Sequence, residues 1–534
     1  MLDEKKEAGD DDEDELKKPS ASARFHELLA DIDMHGVPRI QMDLHIAKKV
    51  IWIIVMVGLL GVAIWQLYSV VEYFTSWPTS TTFEYVYARE KEFPAVTLCN
   101  LNPVRNSRTT KLPDGSAART FFDEQKIKTT GNAGPQQSGT GTFSWDNINF
   151  SDQRTDYDAK VLFYQTYMAL SDEEKQNVGY SMKEMMLDCA FNGKTCSPIN
   201  FTRTVHAHFG NCFTFNTPDE NGDVTSVSAP GPIHGLSLTM LIDQTDYFPT
   251  ISEAAGLKVL VHHQKQFPFP EDDGMLVAPG SDTQIGVRQV VIVRAESPYG
   301  NCQNYSDTDA RSRDAYTERL TGVGYTSVGC EKTCMQKEIF KACGCKHPFY
   351  VYVGTTFANS GVPTADFCQL NKAETRDCIT SVEQKLNTGT LPCNEDCPPS
   401  CLDHSYPSTV ASSTWPAQKK EKDVINMIAT TNPALKNLIA GYSTDEAKRL
   451  YMSQEILKVS VFYQDMSYQY VVTSSAYTVE EMASDLGGTV ELYLGLSIVT
   501  LVETIEFFMD LCFICSQKRK IKKTMKNKTA PVKA

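Results

Sequence analysis

The chain has 534 residues, more than one ordinary domain, and a net charge of −15 from 66 acidic against 51 basic side chains. That acidic balance excludes a general nucleic-acid binder, which needs a basic face to neutralise phosphates. A mean hydropathy of −0.30 excludes a many-span transporter and fits one or two spans beside a large water-exposed part.

In chain order, residues 1–20 are charge-dense ("DDEDE", then "KK") and read as a solvated tail. A short apolar-periodic stretch follows and ends at Gly36-Val37-Pro38. Val50–Val71 is 22 residues without a charge, enough to cross about 30 Å of hydrocarbon. It is too long and too far from Met1 for a cleaved signal. "FEYVYAREKEFPAVTLCN" alternates like a strand. Residues 129–142 carry neither charge nor large apolar groups and read as a surface loop. Tyr157–Leu170 is helix-periodic, and Ser171/Glu174 and Ser181/Glu184 are capping boxes for two further helices. The second helix puts Met182, Met185, Met186 and Cys189 along one side. Strands are expected at 257–263 and 288–295, and helices inside 331–345, at 420–440 and, capped by Ser443 and Glu446, at 443–455. "ILKVSVFYQ" and "YQYVVTSS" read as a strand pair.

That pair leads into a second apolar stretch, Leu486 to Cys515, which contains Glu503, Glu506 and Asp510. An acid at the centre of a span costs about 2.5–3.5 kcal/mol. The three are spaced to share one helix face, and an unbroken helix adds Asp485, with Leu492 and Val499 near the same stripe. Such a face suits water or a subunit contact rather than lipid. A pore needs several copies, since two helices cannot enclose a water column. Gly495 can break the helix and Ser497 can add a hydroxyl, supplying the oxygens that select hard cations.

Lys48 and Lys49 precede the first span, and Lys518, Arg519 and Lys520 follow the second. Both termini are therefore expected in the cytosol, with roughly 400 residues outside. Of 16 cysteines, 14 lie between the spans, ten of them in 302–401, the pattern of an extracellular disulfide framework. Zinc at Cys330/Cys334 or Cys343/Cys345 is the rival reading, disfavoured by an oxidising compartment. Sequons at Asn149, Asn200 and Asn304 fall in the same segment.

Several motifs resemble the epithelial sodium channel/degenerin/acid-sensing ion channel superfamily: His35-Gly36, "FPAVTLCN" (93–100), "GNCFTFN" (210–216), "SPYGNC" (297–302) and "DLGGTVELYLGLS" (485–497). The resemblance implies an α+β membrane protein, a plasma-membrane homotrimer with two transmembrane helices per subunit and a hand-like, disulfide-rich ectodomain. The implied boundaries are a cytosolic segment 1–49 with a re-entrant His35-Gly36 loop, a first span 50–73 and an ectodomain 74–483. Within the ectodomain the finger covers about 105–200 and the thumb about 302–401. A pore helix 484–515 and a basic tail 516–534 complete the chain. The implied filter is Gly495, Leu496 and Ser497. The gate is Ser484, Asp485 and Leu492, and Glu503, Glu506 and Asp510 line the inner pore. Ser484 also has a plainer reading, as the N-cap of the second span. The implied disulfides are Cys99–Cys212, Cys189–Cys196, Cys302–Cys401, Cys330–Cys397, Cys334–Cys393, Cys343–Cys378 and Cys345–Cys368. The permeant ion is Na+, the blocker amiloride, and no cofactor, metal or enzyme activity is expected.

Acid-sensing members carry a histidine after the first span, Gly-Ala-Ser in the filter and Pro-Trp-Gly before the thumb. This chain has no histidine there, Gly-Leu-Ser, and Pro298-Tyr299-Gly300. Its candidates for acid gating are His206, His208, His262, His263 and Glu271–Asp273. The chain looks most similar to invertebrate FMRFamide-gated sodium channels, which implies an extracellular neuropeptide ligand. Phe121, Phe122, Tyr180, Met182 and Met185 are the expected peptide pocket. The alternatives are a proton-gated or constitutively open channel of the same family and, from another class, a two-span scavenger-receptor-like lipid-binding protein.

Overall fold

The computed structural model describes residues 45–130, 150–219, 221–248, 251–304, 313–318, 322–350, 366–431 and 433–497, and scattered positions from 499 to 513. The first half contains α1 (Ile46–Thr75), β1 (Thr79–Tyr87), β2 (Lys91–Glu92), β3 (Ala95–Asn100), α2 (Ala117–Thr130), α3 (Phe150–Ala169), α4 (Asp172–Val178), α5 (Met182–Met185), β4 (Met186–Phe191), β5 (Lys194–Thr195), β6 (Phe201–His206), β7 (Gly210–Phe215), β8 (Ser226–Val227), β9 (Leu236–Leu241), β10 (Leu257–His262), β11 (Met275–Val277) and β12 (Ser281–Val293). Then come α6 (Ser327–Cys343), α7 (Ala373–Asn387), β13 (Leu402–Ser405), β14 (Ser408–Thr414), α8 (Glu421–Thr431), α9 (Pro433–Ala440), α10 (Asp445–Glu455), β15 (Ile456–Ser475) and α11 (Val479–Leu494). The chain falls into two compact units, Met1–Ser80 with Ser475–Ala534, and Thr81–Ser474.

In the first unit α1 is long and apolar enough to cross a membrane. Its Ile51, Val57, Ile64 and Trp65 are exposed, which an aqueous surface would not tolerate as one continuous run. It packs along α11. The Tyr477 ring stands edge-on to Tyr73 at 5.2 Å, and its hydroxyl donates to Asp485 at 2.5 Å. Helix α11 begins earlier than the sequence suggested. Thr478 and Glu481 form a full capping box, so Ser484 is a helix-interior residue and not an N-cap.

The second unit is built on two sheets. Among the described residues the larger has the order β13-β12-β15-β9-β4-β5, with β1 also on β15 and β14 also on β12. The smaller runs β11-β10-β3-β7-β6. One core cluster takes Val96, Leu98 and Phe215 from the small sheet and Leu238, Met240, Val459 and Val461 from the large one. The expected strand pair near the C-terminus is a single strand, β15. Its parallel register with β12 shifts between Val287 and Gln289, and residues 464–467 are taken up there. The residues between the two expected strands are therefore a bulge inside one strand. Likewise α5 stops after Met185, because Met186 and Cys189 pair with β9. All four side chains still enter the same core.

Seven disulfides join Cys99–Cys212, Cys189–Cys196, Cys302–Cys401, Cys330–Cys397, Cys334–Cys393, Cys343–Cys378 and Cys345–Cys368. They are the pairs the resemblance implied, and they leave none of these cysteines for zinc. Ser171 caps α4 with Glu174 as read, whereas the cap of α10 is Thr444, one residue beyond Ser443.

Candidate functional site

Two places carry chemistry. The first is the end of α11. Its amphipathic run closes at Gly495, which adopts φ 69° and donates to Glu491 O at 2.8 Å. A side chain is strained in that left-handed conformation, so glycine is what lets the helix stop there. Leu496 and Ser497 follow as non-helical backbone, and helical backbone is present again at Val499 and Thr500. Ser497 Oγ lies 3.2 Å from Thr500 Oγ1, and Thr500 N donates to it at 3.3 Å. The helix is thus interrupted between Asp485 and Glu506, and the continuous stripe expected from an unbroken helix does not form. Even so, Ser484, Asp485, Leu492, Val499 and Glu506 are all exposed, while Thr489, Leu494 and Thr500 are buried. His35, Gly36, Glu503, Asp510 and Asn149 lie outside the described residues. Asn200 and Asn304 are exposed.

The second place is a cavity of about 330 Å³ in the larger unit, where α3–α4, the β6–β7 turn, the loop after β10 and α6 meet. Its charged floor is Glu271 and Asp272, bridged by Lys332 Nζ at 3.3 and 2.9 Å. His206 Nδ1 stands 3.6 Å from Glu271 Oε2. Burial alone would raise the Glu271 pKa, but the neighbouring imidazole and ammonium outweigh it and hold the carboxyl down at about 2. Aromatic walls face this floor. Phe267 lies 5.0 Å from Tyr316, and His208 is flanked by Tyr164 at 4.9 Å and Phe349 at 4.5 Å.

Three of the histidines expected to sense acid are held below their ordinary range. Burial lowers His208, takes His262 down to about 4 and His263 to about 3. His262 Nε2 is also tied into a buried network with Thr97 at 2.8 Å. Two carboxylates the sequence did not single out move into the neutral range instead. Burial raises Asp314 to about 6, and burial with the nearby Asp243 charge raises Glu455 to about 7. Nothing in the spacing of Asp314 or Glu455 marks them, since their burial is a tertiary fact.

The expected peptide residues do not form one pocket: Tyr180 and Met185 border a groove of the larger unit that Phe121, Phe122 and Met182 do not line. Phe122 is fully buried at 5.0 Å from Phe163, with Phe121 packed beside it. Tyr180, Met182 and Met185 are core residues of the two-sheet cluster. They fill interiors because a helix face that packs and a helix face that binds look alike in one sequence.

A family model described as "Amiloride-sensitive sodium channel" matches residues 28–507. The bile acid-sensitive ion channel of Homo sapiens is 29% identical over 94% of this chain and 89% of its own length. The epithelial sodium channel subunit alpha of Neoceratodus forsteri is 27% identical over 90% of this chain and 78% of its own. Degenerin unc-8 of Caenorhabditis elegans is 29% identical over 64% of this chain and 41% of its own.

Proposed function

The chain belongs to the amiloride-sensitive sodium channel family, and on that premise we propose that it is a subunit of a homotrimeric, peptide-gated sodium channel of the plasma membrane, blocked by amiloride. The observation that carries the pore is the break at Gly495, which ends α11 in the middle of an exposed face. Three such breaks around an axis form a ring of backbone and hydroxyl oxygens at Gly495–Ser497, the filter. Ser484, Asp485 and Leu492 lie on the outer side as the gate. Glu503, Glu506 and Asp510 lie on the inner side, where they raise the local cation concentration. His35-Gly36 forms the re-entrant loop beneath, and both termini are cytosolic.

The ligand reading rests on the cavity at Glu271. It combines carboxylates with Phe267, Tyr316 and Phe349, the complement of a short cationic, aromatic peptide such as FMRFamide. The peptide must bind the open ectodomain better than the closed one to shift the equilibrium. The test is current from cells expressing the chain, during pulses of micromolar FMRFamide, steps to pH 5 and applications of a bile acid, the stimulus in the name of the mammalian relatives. A peptide-evoked, amiloride-blocked sodium current is expected. Current evoked by acid or bile acid without a peptide response overturns peptide gating, and no cation current under any condition overturns the pore.

A further inference from the structure

A second groove, of about 490 Å³, lies in the larger unit between the segment after β3, α5, the end of β9 and the helices α9 and α10. Two guanidinium groups line it, and they differ in how fully they are used. Arg105 meets three carboxylates: Nε donates to Asp246 at 2.7 Å, Nη1 reaches Glu184 at 3.5 Å and Nη2 donates to Asp243. Arg108 donates from Nη2 to Glu184, and its guanidinium makes no other hydrogen bond among the described residues. A guanidinium carries five N–H donors in a planar fork, so most of those on Arg108 remain open beside the groove. The carboxylates have fewer open sites, each being able to accept about four hydrogen bonds. Glu184 already accepts from both arginines and from Ser181 Oγ at 2.8 Å, and Asp243 accepts from Arg105 and from Thr245 Oγ1 at 3.0 Å. The two arginines and two carboxylates of this lining balance in charge, and the larger share of its open hydrogen-bonding capacity is the N–H groups of Arg108.

The facing wall is apolar. Leu435 and Leu438 of α9 and Tyr451 of α10 line it, and Leu438 is 51% exposed beside a neighbour that is 6% exposed. We propose that the groove binds an amphipathic anion. Its carboxylate or sulfonate takes the open N–H groups of Arg108 as a bidentate pair, and its apolar body lies along Leu435, Leu438 and Tyr451. The groove volume is within the range that encloses a ligand of drug size.

The test uses the full-length channel in membranes, a dodecanoate that carries a photoreactive diazirine, and mass spectrometry of the labelled peptides. Saturable labelling of residues 433–451 is expected, competed by dodecanoate and not by dodecanol. Arg108→Gln should weaken it about tenfold or more, the loss of one charge-assisted pair, and Arg108→Lys should restore part of it. Leu438→Glu, at an exposed position where folding is not at stake, should abolish it by putting a like charge against the anion. Labelling that dodecanol competes equally well, or that ignores both Arg108→Gln and Leu438→Glu, overturns the proposal. So does the absence of any labelling at 433–451 in the assembled channel, which would mean that a neighbouring copy covers the groove. None of these outcomes depends on which stimulus opens the channel.

Discussion

Two helical regions of the larger unit reach order by different means. The region 302–401, with α6 and α7, carries five disulfides. Its apolar cluster contains Met335, Ile339, Ile379 and Val382 with Leu370 and Cys368, to which Val161 of α3 is added. The region 421–455, with α8 to α10, has no cysteine and closes on Val424, Ile428, Leu435, Ile439, Tyr451 and Met452. The two clusters are of similar size, so the difference lies in the cross-links, which lower the entropy of the unfolded chain in addition to what packing contributes. In 421–455 packing acts without them. The first region is accordingly rigid by covalent constraint, and the second can open locally at the cost of its packing alone.

The largest expected effect comes from removing a staple. The Cys302–Cys401 bond closes a separation of 99 residues. Replacing both cysteines by serine should cost about 3–4 kcal/mol in the chain-entropy model, because the nested Cys330–Cys397 bond shortens the free loop to about 30 residues, read as a fall in Tm of the purified channel and as lost surface delivery. If that pair costs less than one core truncation in 421–455, the contrast between the regions fails.

Such a truncation is Ile428→Ala. The side chain is fully buried at the centre of its cluster, and the change should cost about 2–4 kcal/mol. The loss should appear as faster amide exchange across α8 to α10, with exchange in α6 unchanged.

The next effect depends on pH. Glu455 closes α10, and its pKa is raised to about 7 by burial and by Asp243, against a hydrogen bond from Gln244 N at 2.7 Å. A carboxyl whose folded value lies above its unfolded one favours the folded state fully below the unfolded value near 4.5. That contribution is lost as pH rises through about 7. Glu455→Gln should therefore leave Tm nearly unchanged at pH 4.5 and raise it at pH 8. An equal shift at both values would remove Glu455 as the source of this region's pH dependence.

The smallest effects are at the caps. Thr444 accepts from Ala447 N at 3.1 Å, and Thr478 accepts from Glu481 N at 3.2 Å. Each change to alanine should cost about 1 kcal/mol. Thr444→Ala should show fully in the stability of the unstapled region. Thr478→Ala should show in channel open probability if α11 is the pore helix proposed above.

Local rules made part of this legible beforehand. Ser171 and Glu174 announce a capping box because that device needs nothing beyond four consecutive residues. Gly495 announces a stop because the left-handed conformation is a property of one residue. What stayed hidden depended on distant partners. The bulge at Gln464-Asp465 exists because β12 supplies one residue, Arg288, where β15 supplies four, and Arg288 Nε donates to Gln464 Oε1 at 2.9 Å. The aromatic and methionine residues expected in a ligand pocket pack into two separate interiors built by distant elements, and Tyr180 and Met185 also border a groove. Tyr477 reads as one more aromatic, yet it links Asp485 to the end of α1.

The interruption of α11 has an electrical consequence. A helix ends with unpaired carbonyls that amount to about half a negative charge, and the effect fades within a turn. Because α11 stops at Gly495, that charge is delivered at the proposed filter rather than at the end of a longer span. A sodium ion arriving at the proposed trimer axis would meet three such helix ends. The backbone then supplies attraction that no mutation of a side chain removes, short of restoring the helix through Gly495.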